Sequence, residues 1–97
     1  MSKSEGRKFD GNKPMYDLID ADALEDLARV LTQGALKYDR YNWKNVEPHR
    51  YEAALFRHLQ AWRQGEEKDR ESQCHHMAHV MCNAMFLFCF DRMNDAD

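Results

Sequence analysis

The segment CHHMAHVMCN, residues 74–83, places three histidines within five positions of an otherwise apolar stretch. A polar ring that enters a protein interior loses free energy unless it gains a hydrogen bond or a metal ion. At about 100° per residue on a helix, His76, His79 and Asn83 lie on one side, and a methionine stripe lies on the other. The spacing therefore predicts an interior polar face that needs a partner.

Further candidate ligands come from the segments that precede this one. His58 falls at the centre of the apolar side of the preceding helix, and the connection between the two helices carries Glu66, Asp69 and Glu71. Imidazole and carboxylate groups together bind divalent ions such as Zn²⁺, Mn²⁺, Co²⁺ and Fe²⁺. We therefore expect a metal site with the candidate ligands His58, Asp69, His76 and His79. The candidate catalytic residues are Glu66, Asp69 and Asn83.

Other interpretations of these residues remain open. Taken alone, a buried histidine is most often a hydrogen-bonded core residue, and Asn83 can equally satisfy a backbone group. The three cysteines contain no CxxC pair and are expected to be reduced core residues. A zinc role for Cys82 beside His75 and His79 is sterically allowed by their spacing but is the less favoured interpretation.

Cationic side chains near these histidines are candidates for binding phosphate. Arg57 precedes His58, Lys37 lies near the end of the first helix, and Lys13 lies in the N-terminal arm. Arginine binds phosphate through two parallel hydrogen bonds and lysine binds it as a point charge. The alternative for each is a solvated surface charge, which is the favoured interpretation for Lys13 alone.

Aromatic residues between the first two helices are candidates for binding a base. Tyr38, Tyr41 and Trp43 offer rings on which a purine can stack. Asn42 could read a base edge or cap the loop. Equally, such aromatic residues often close the end of a small helical bundle, and the spacing does not decide between the two roles.

These residues must be positioned by helices, because no segment shows the alternation of a half-buried strand. A first helix follows an N-cap at Asp20 or Asp22 and ends near residue 38, and Gly34 within it indicates close helix packing. The second helix spans about residues 48–64, between Pro48 and Gly65. Ser72 is the expected N-cap of a third helix over about residues 72–91. An apolar arm, residues 15–19, is expected to dock onto this bundle.

Composition limits the class of protein. The chain has 97 residues, a formal charge of −3 and no broad basic surface, so we expect a single domain over residues 1–97 that does not bind duplex nucleic acid. Residues 1–7 and 94–97 are expected to be flexible. No segment has the apolar length of a membrane span or the pattern of a signal peptide, so we expect a cytoplasmic protein. So small an interior also predicts a homo-oligomer.

Six motifs occur in order along the chain: KFDxxKP, GAxKY, NW, RHLxAWxxGE, DxES and HxxHxxxN. From Lys8 to about Leu87, the sequence resembles the N-terminal domain family of phage dATP/dGTP diphosphohydrolases. That family is similar to the all-α nucleoside triphosphate pyrophosphatases of the MazG type. The resemblance implies a helical domain that handles nucleotides.

In MazG-type proteins, ExxE and ExxD motifs bind Mg²⁺ or Mn²⁺, and a metal-activated water splits the triphosphate between its α and β phosphorus atoms. The resemblance places His76 and His79 where the ExxD carboxylates would be. It implies a pyrophosphohydrolase that converts dATP or dGTP to the monophosphate in a phage or host cytoplasm. Two neutral imidazoles make the site less negative than carboxylates would, so we expect an ion softer than Mg²⁺ to be preferred among Mg²⁺, Mn²⁺, Co²⁺ and Zn²⁺. The substrate-binding candidates are Lys13, Lys37, Tyr38, Asn42, Trp43 and Arg57. A nucleotide-binding protein without turnover, and a structural metal site, remain the alternatives.

Overall fold

Three α-helices account for most of the chain, and the prediction of an all-α fold is confirmed. The computed structural model describes residues 11–95. It contains α1 (Ala21–Tyr38), α2 (Pro48–Arg63) and α3 (His76–Asp95), with short 3₁₀ turns at Tyr16–Leu18 and Asn42–Asn45. Residues 1–7, which we expect to be flexible, lie outside the described part, as do residues 96 and 97; α3 itself continues through residue 95. None of the helices within residues 11–95 is long and apolar enough to cross a membrane.

Local signals in the sequence set the boundaries of the first two helices. The Asp20 carboxylate accepts the Ala23 N–H at 2.9 Å, so Asp20 is the N-cap of α1. Pro48 occupies the first turn of α2, where its missing N–H costs nothing. Gly65 follows α2 with a φ of +101°, a conformation that glycine adopts without strain. All three predicted boundaries are confirmed.

The start of α3 differs from the prediction. The helix begins at His76, four residues after the expected position, because Ser72 does not cap it. The Ser72 hydroxyl instead accepts the Cys74 N–H at 3.1 Å, and the His75 ring accepts the Met77 N–H at 2.9 Å. Such bonds from side chain to backbone compete with the helix and hold residues 72–75 in a turn.

The hydrophobic core lies along α3, which packs against both α1 and α2. α1 and α2 contain no buried residue. Within residues 11–94, the buried residues are Cys74, His76, Ala78, Cys82, Asn83 and Phe86. Trp43 stacks on Phe86 with ring centroids 4.6 Å apart, and Tyr51 lies 4.7 Å from the same ring. The two flanking helices therefore form the walls of a cleft, and α3 forms its floor.

Two expectations about packing are wrong. The apolar arm does not dock onto the bundle, since its large side chains remain 53–76% exposed. Its 3₁₀ turn closes on itself, with the Leu18 N–H donating to the Met15 carbonyl at 3.1 Å. Gly34 makes no close helix contact either, because a Cβ atom there would meet nothing within 4 Å. It faces the open cleft instead.

Candidate functional site

The cleft between α1 and α2 has a volume of about 990 Å³ and brings together most of the candidate residues. α2 and α3 run in opposite directions, so Tyr51 lies beside Phe86 at one end and His58 lies beside His76 at the other. The first end is aromatic. The second end carries imidazoles and carboxylates and is the candidate site for chemistry.

Two imidazole nitrogens meet at the polar end. The Nδ1 atom of His58 lies 2.9 Å from the Nδ1 atom of His76. A carboxylate oxygen of Asp69 joins them, and the three potential ligand atoms all lie within 4.8 Å of one another. Two nitrogens and one carboxylate oxygen form a donor set that suits Zn²⁺, Mn²⁺ or Co²⁺. Three of the four residues predicted as metal ligands are thus close enough to hold one divalent ion together.

Glu66 orients one of these imidazoles. Its carboxylate accepts the Nε2–H of His76 at 2.9 Å and also accepts a hydrogen bond from Arg70 at 2.9 Å. The hydrogen bonds from His76 and Arg70 lower the pKa of Glu66. With its proton held on Nε2, His76 directs the lone pair of Nδ1 at His58, an arrangement typical of metal-binding histidines. Glu66 thus supports the site rather than lining the cleft.

The loop before α3 positions Asp69. One carboxylate oxygen accepts the backbone N–H groups of Ser72 at 2.8 Å and Glu71 at 3.1 Å. Burial alone would raise the pKa of Asp69, but the hydrogen bonds from Ser72 and the nearby imidazoles outweigh burial and lower it. The Asp69 N–H donates to the Cys74 carbonyl at 2.8 Å, which closes the loop. Asp69 is therefore a rigidly held anion beside the two imidazoles.

His79 lies next to the cluster but outside the group of three ligand atoms. Its ring stacks on His58 with centroids 4.2 Å apart and an angle of 6° between the planes. Its Nε2 atom lies 2.6 Å from the Ser72 hydroxyl, so this nitrogen is hydrogen-bonded to the loop before α3. Burial lowers the pKa of His79, and burial together with His79 lowers the pKa of His58 to about 4. With a pKa of about 4, the His58 ring is neutral at pH 7.

The two remaining polar candidates on α3 have structural partners. The buried Asn83 amide donates to the His79 carbonyl at 2.8 Å, which is the backbone role that the sequence left open. Burial raises the pKa of the Cys82 thiol to about 12. A thiol that stays protonated is a poor metal ligand, and Cys82 lies outside the three-residue cluster.

The candidates for binding phosphate divide into two groups. Arg57 and Lys37 line the cleft on opposite walls, whereas the exposed Lys13 is not among its lining residues. The Lys37 ammonium also pairs with the Glu71 carboxylate at 3.1 Å, a hydrogen bond that raises the pKa of Lys37. Of the three predicted cations, Arg57 is the one directed to the cleft without an ion pair among the described residues.

The candidates for binding a base also divide. Tyr38 and Asn42 line the cleft, and Tyr38 is 57% exposed. Trp43 lines it too, but its ring is stacked on Phe86 and contacts Phe90 edge-on at 5.6 Å. The packing of Trp43 matches the alternative in which it closes the end of the bundle.

Two further residues contribute to the site in ways that the sequence did not reveal. Gln33 on α1 donates to the Ser72 carbonyl at 3.2 Å and contacts the Cys74 sulfur at 3.5 Å, which ties α1 to the loop. Ser72 joins that loop to His79. Ser72 lies in the DxES motif, which was a usable signal, whereas nothing in the sequence distinguishes Gln33.

The low pKa of His58 gives the metal-free protein a defined acid response. The folded pKa of His58 is about 4, below the ordinary histidine pKa of about 6.5, so the unfolded chain binds more protons than the folded chain between these two pH values. Stability is therefore complete above pH 6.5 and falls as the pH drops towards 4. We expect a loss of about 1 kcal/mol, since partial exposure screens the full linkage. Urea unfolding in chelator at pH 7.5 and pH 5 measures this loss.

The matched variants for this measurement are His58→Gln and His49→Gln. The first removes the shifted ring, so it should flatten the pH dependence of the unfolding free energy. The second removes an exposed histidine of the same helix and should leave the dependence as in the parent. An equal loss of stability in both variants and the parent would show that other groups cause the acid response.

The fold and the cluster define a small all-α domain with a histidine and carboxylate site in an open cleft. The chain belongs to the dATP/dGTP diphosphohydrolase N-terminal family, whose model matches residues 3–96. It is 39% identical over 83 residues to a dATP/dGTP diphosphohydrolase of Salmonella phage PMBT28. The match covers 86% of this chain and 29% of that relative, so the chain spans less than a third of its length. No solved structure matches the chain. The predicted family is confirmed.

Proposed function

We propose that this domain binds a purine deoxynucleoside triphosphate in its cleft and hydrolyses it to the monophosphate and pyrophosphate, with a divalent ion held by His58, Asp69 and His76. The observation that carries the proposal is the convergence of two imidazole nitrogens and a carboxylate oxygen within 4.8 Å. The name of the phage relative supplies the substrate class. This chain matches only 29% of that relative, so the activity in its name is proposed for this chain and not assigned to it.

The protein groups have distinct roles in this proposal. Glu66 keeps the proton of His76 on Nε2, and the backbone of the loop holds the Asp69 carboxylate in place. A divalent ion here would neutralise the polyphosphate and lower the pKa of a water molecule. Arg57, next to His58 on the α2 wall of the cleft, would bind a phosphate oxygen, and the exposed ring of Tyr38 is available to a base.

A second candidate function is nucleotide binding without turnover. It is favoured by the engagement of the proposed catalytic groups: Glu66 is bonded to His76 and Arg70, and the Asn83 amide is bonded to a backbone carbonyl. These contacts leave Asp69 as the carboxylate in the cluster that can also act on a water molecule. A domain with this pocket could bind the nucleotide and leave the chemistry to another domain.

A turnover assay separates the two functions. Purified protein is incubated with each of the four deoxynucleoside triphosphates in the presence of Mg²⁺, Mn²⁺, Co²⁺ or Zn²⁺, and the products are separated by chromatography. Formation of dAMP or dGMP with pyrophosphate supports hydrolysis. Tight binding of dATP or dGTP by calorimetry without products supports the binding function, and the absence of both overturns the proposal.

We also propose that the domain functions as a homo-oligomer, and we expect light scattering at micromolar concentration to give at least a dimer mass. Leu36 is 84% exposed and Phe88 is 59% exposed, while neither α1 nor α2 buries a single residue. Large apolar side chains that are this exposed are typical of surfaces through which proteins associate. A second copy packed on α3 would cover Phe88.

Two charge substitutions test this arrangement. Phe88→Glu should dissociate the assembly and leave the helicity intact, because the ring is exposed in the single chain. Leu36→Glu is the comparison on α1, and it should leave the mass unchanged if α3 forms the interface. A monomer mass for the parent protein would contradict the proposal.

A further inference from the structure

One side of α2 presents two arginines to the cleft. Arg50, Ala53 and Arg57 follow one another at spacings of three and four residues, which places them on the same side of a helix. All three line the cleft and all three are exposed. Ala53, which lies between the two arginines on this side of the helix, carries only a methyl group. We call this side of α2 the arginine ledge.

The arginines of this ledge have no counter-ion within the described residues. The ion pairs of residues 11–95 engage Arg29, Lys37 and Arg70, together with His75 and His76. Across the cleft, the Glu71 carboxylate is already paired with Lys37. The ledge is therefore a positively charged wall whose two guanidinium groups are available to an anion.

The ledge extends away from the candidate metal site. Arg57 precedes His58 in the chain, and its charge contributes to lowering the pKa of His58. Arg50 lies seven residues earlier, about 10 Å further along the helix axis. An anion at the histidine cluster can contact Arg57, but it must be extended along α2 to contact Arg50 as well. A chain of phosphates has that shape and charge, whereas a single phosphate does not.

We infer that the arginine ledge binds the polyphosphate chain and that Arg50 contacts its terminal phosphate, so that the cleft distinguishes triphosphates from monophosphates. The inference rests on the proposed function and adds to it the residue that makes binding depend on the number of phosphates. Arginine suits this role because its planar group binds two phosphate oxygens at once. Arg57 contacts both classes of nucleotide, and Arg50 contacts the longer one.

The test compares Arg50→Gln with Arg63→Gln, a substitution on the same helix at an exposed arginine outside the cleft lining. Calorimetry in Mn²⁺ measures the affinity for α,β-methylene dGTP, which resists cleavage between the α and β phosphorus atoms, and for dGMP. Inorganic tripolyphosphate serves as a probe without a base. Arg50→Gln should weaken the binding of both triphosphate probes about tenfold, or 1.4 kcal/mol, and change dGMP binding less than twofold. Arg63→Gln should change none of them.

The outcomes separate the inference from the function on which it rests. If the parent protein binds neither nucleotide in Mn²⁺, the proposed function fails. If the parent binds α,β-methylene dGTP and Arg50→Gln binds it equally well, the inference about the arginine ledge is wrong, but the proposed function is not contradicted. Equal weakening of dGMP and triphosphate binding would also overturn the inference, because Arg50 would then act on the site as a whole. Circular dichroism checks that each variant keeps the helix content of the parent.

Discussion

Replacement of Asp69 by asparagine is expected to lower the affinity for divalent metal at least about 10- to 100-fold while the domain stays folded. The carboxylate is the anionic member of the group formed with His58 and His76. Asparagine keeps an oxygen that can accept the N–H groups of Ser72 and Glu71, so the loop before α3 retains its hydrogen bonds. The variant therefore removes the negative charge but keeps the conformation of the loop.

Titration calorimetry with Mn²⁺ measures this loss, and circular dichroism reports the helicity. Asp39→Asn is the matched control, because Asp39 also lines the cleft but lies outside the cluster. It should bind Mn²⁺ as the parent does. Unchanged affinity in Asp69→Asn would remove the metal site from the proposed function and leave a histidine cluster held together by hydrogen bonds alone.

The second large effect is expected in the core, where Phe86→Ala should lower the free energy of unfolding by about 3 kcal/mol. Phe86 is 9% exposed and lies against the rings of Trp43 and Tyr51. Removal of its ring leaves a cavity and withdraws the surface on which Trp43 stacks. Because small domains have few other buried contacts, this loss is a large part of the total stability.

Urea unfolding compares this variant with Phe56→Ala, which truncates a phenylalanine that is 58% exposed on α2. The control should change the unfolding free energy by less than about 1 kcal/mol. Normal stability of Phe86→Ala together with lost nucleotide binding would contradict the prediction. In that case the aromatic end of the cleft would be a platform for a base and not the end of the core.

The parts of the fold that the sequence predicts are those set by neighbouring residues. The Asp20 cap, Pro48 and Gly65 act within one helical turn of their own position, and the helix boundaries that they predict are confirmed. The start of α3 was not predictable in the same way. Ser72 is a favourable cap by type, but its hydroxyl is engaged by Cys74 and His79, and those partners depend on how the loop folds back.

The candidate site follows the same division. The meeting of His58 with His76 follows from the helical period on two adjacent helices, so the sequence predicts it. Which carboxylate joins them depends on the path of residues 64–75, a loop without a period. Asp69 and Glu66 were both candidates, and the hydrogen bonds of the loop direct Asp69 to the cluster and Glu66 to the far side of His76.

The weak attachment of α1 has a consequence for the motion of the domain. α1 contains no buried residue, and its side-chain bonds to the loop come from Gln33 and Lys37, both exposed. Gly34 lies in the interior of α1, where glycine makes helix formation about 1 kcal/mol less favourable than alanine would. Segments with few buried contacts open at a smaller free energy than the core. The amide hydrogens of α1 should therefore exchange with solvent faster than those of α3, and the cleft can widen by movement of this one wall while its floor stays fixed.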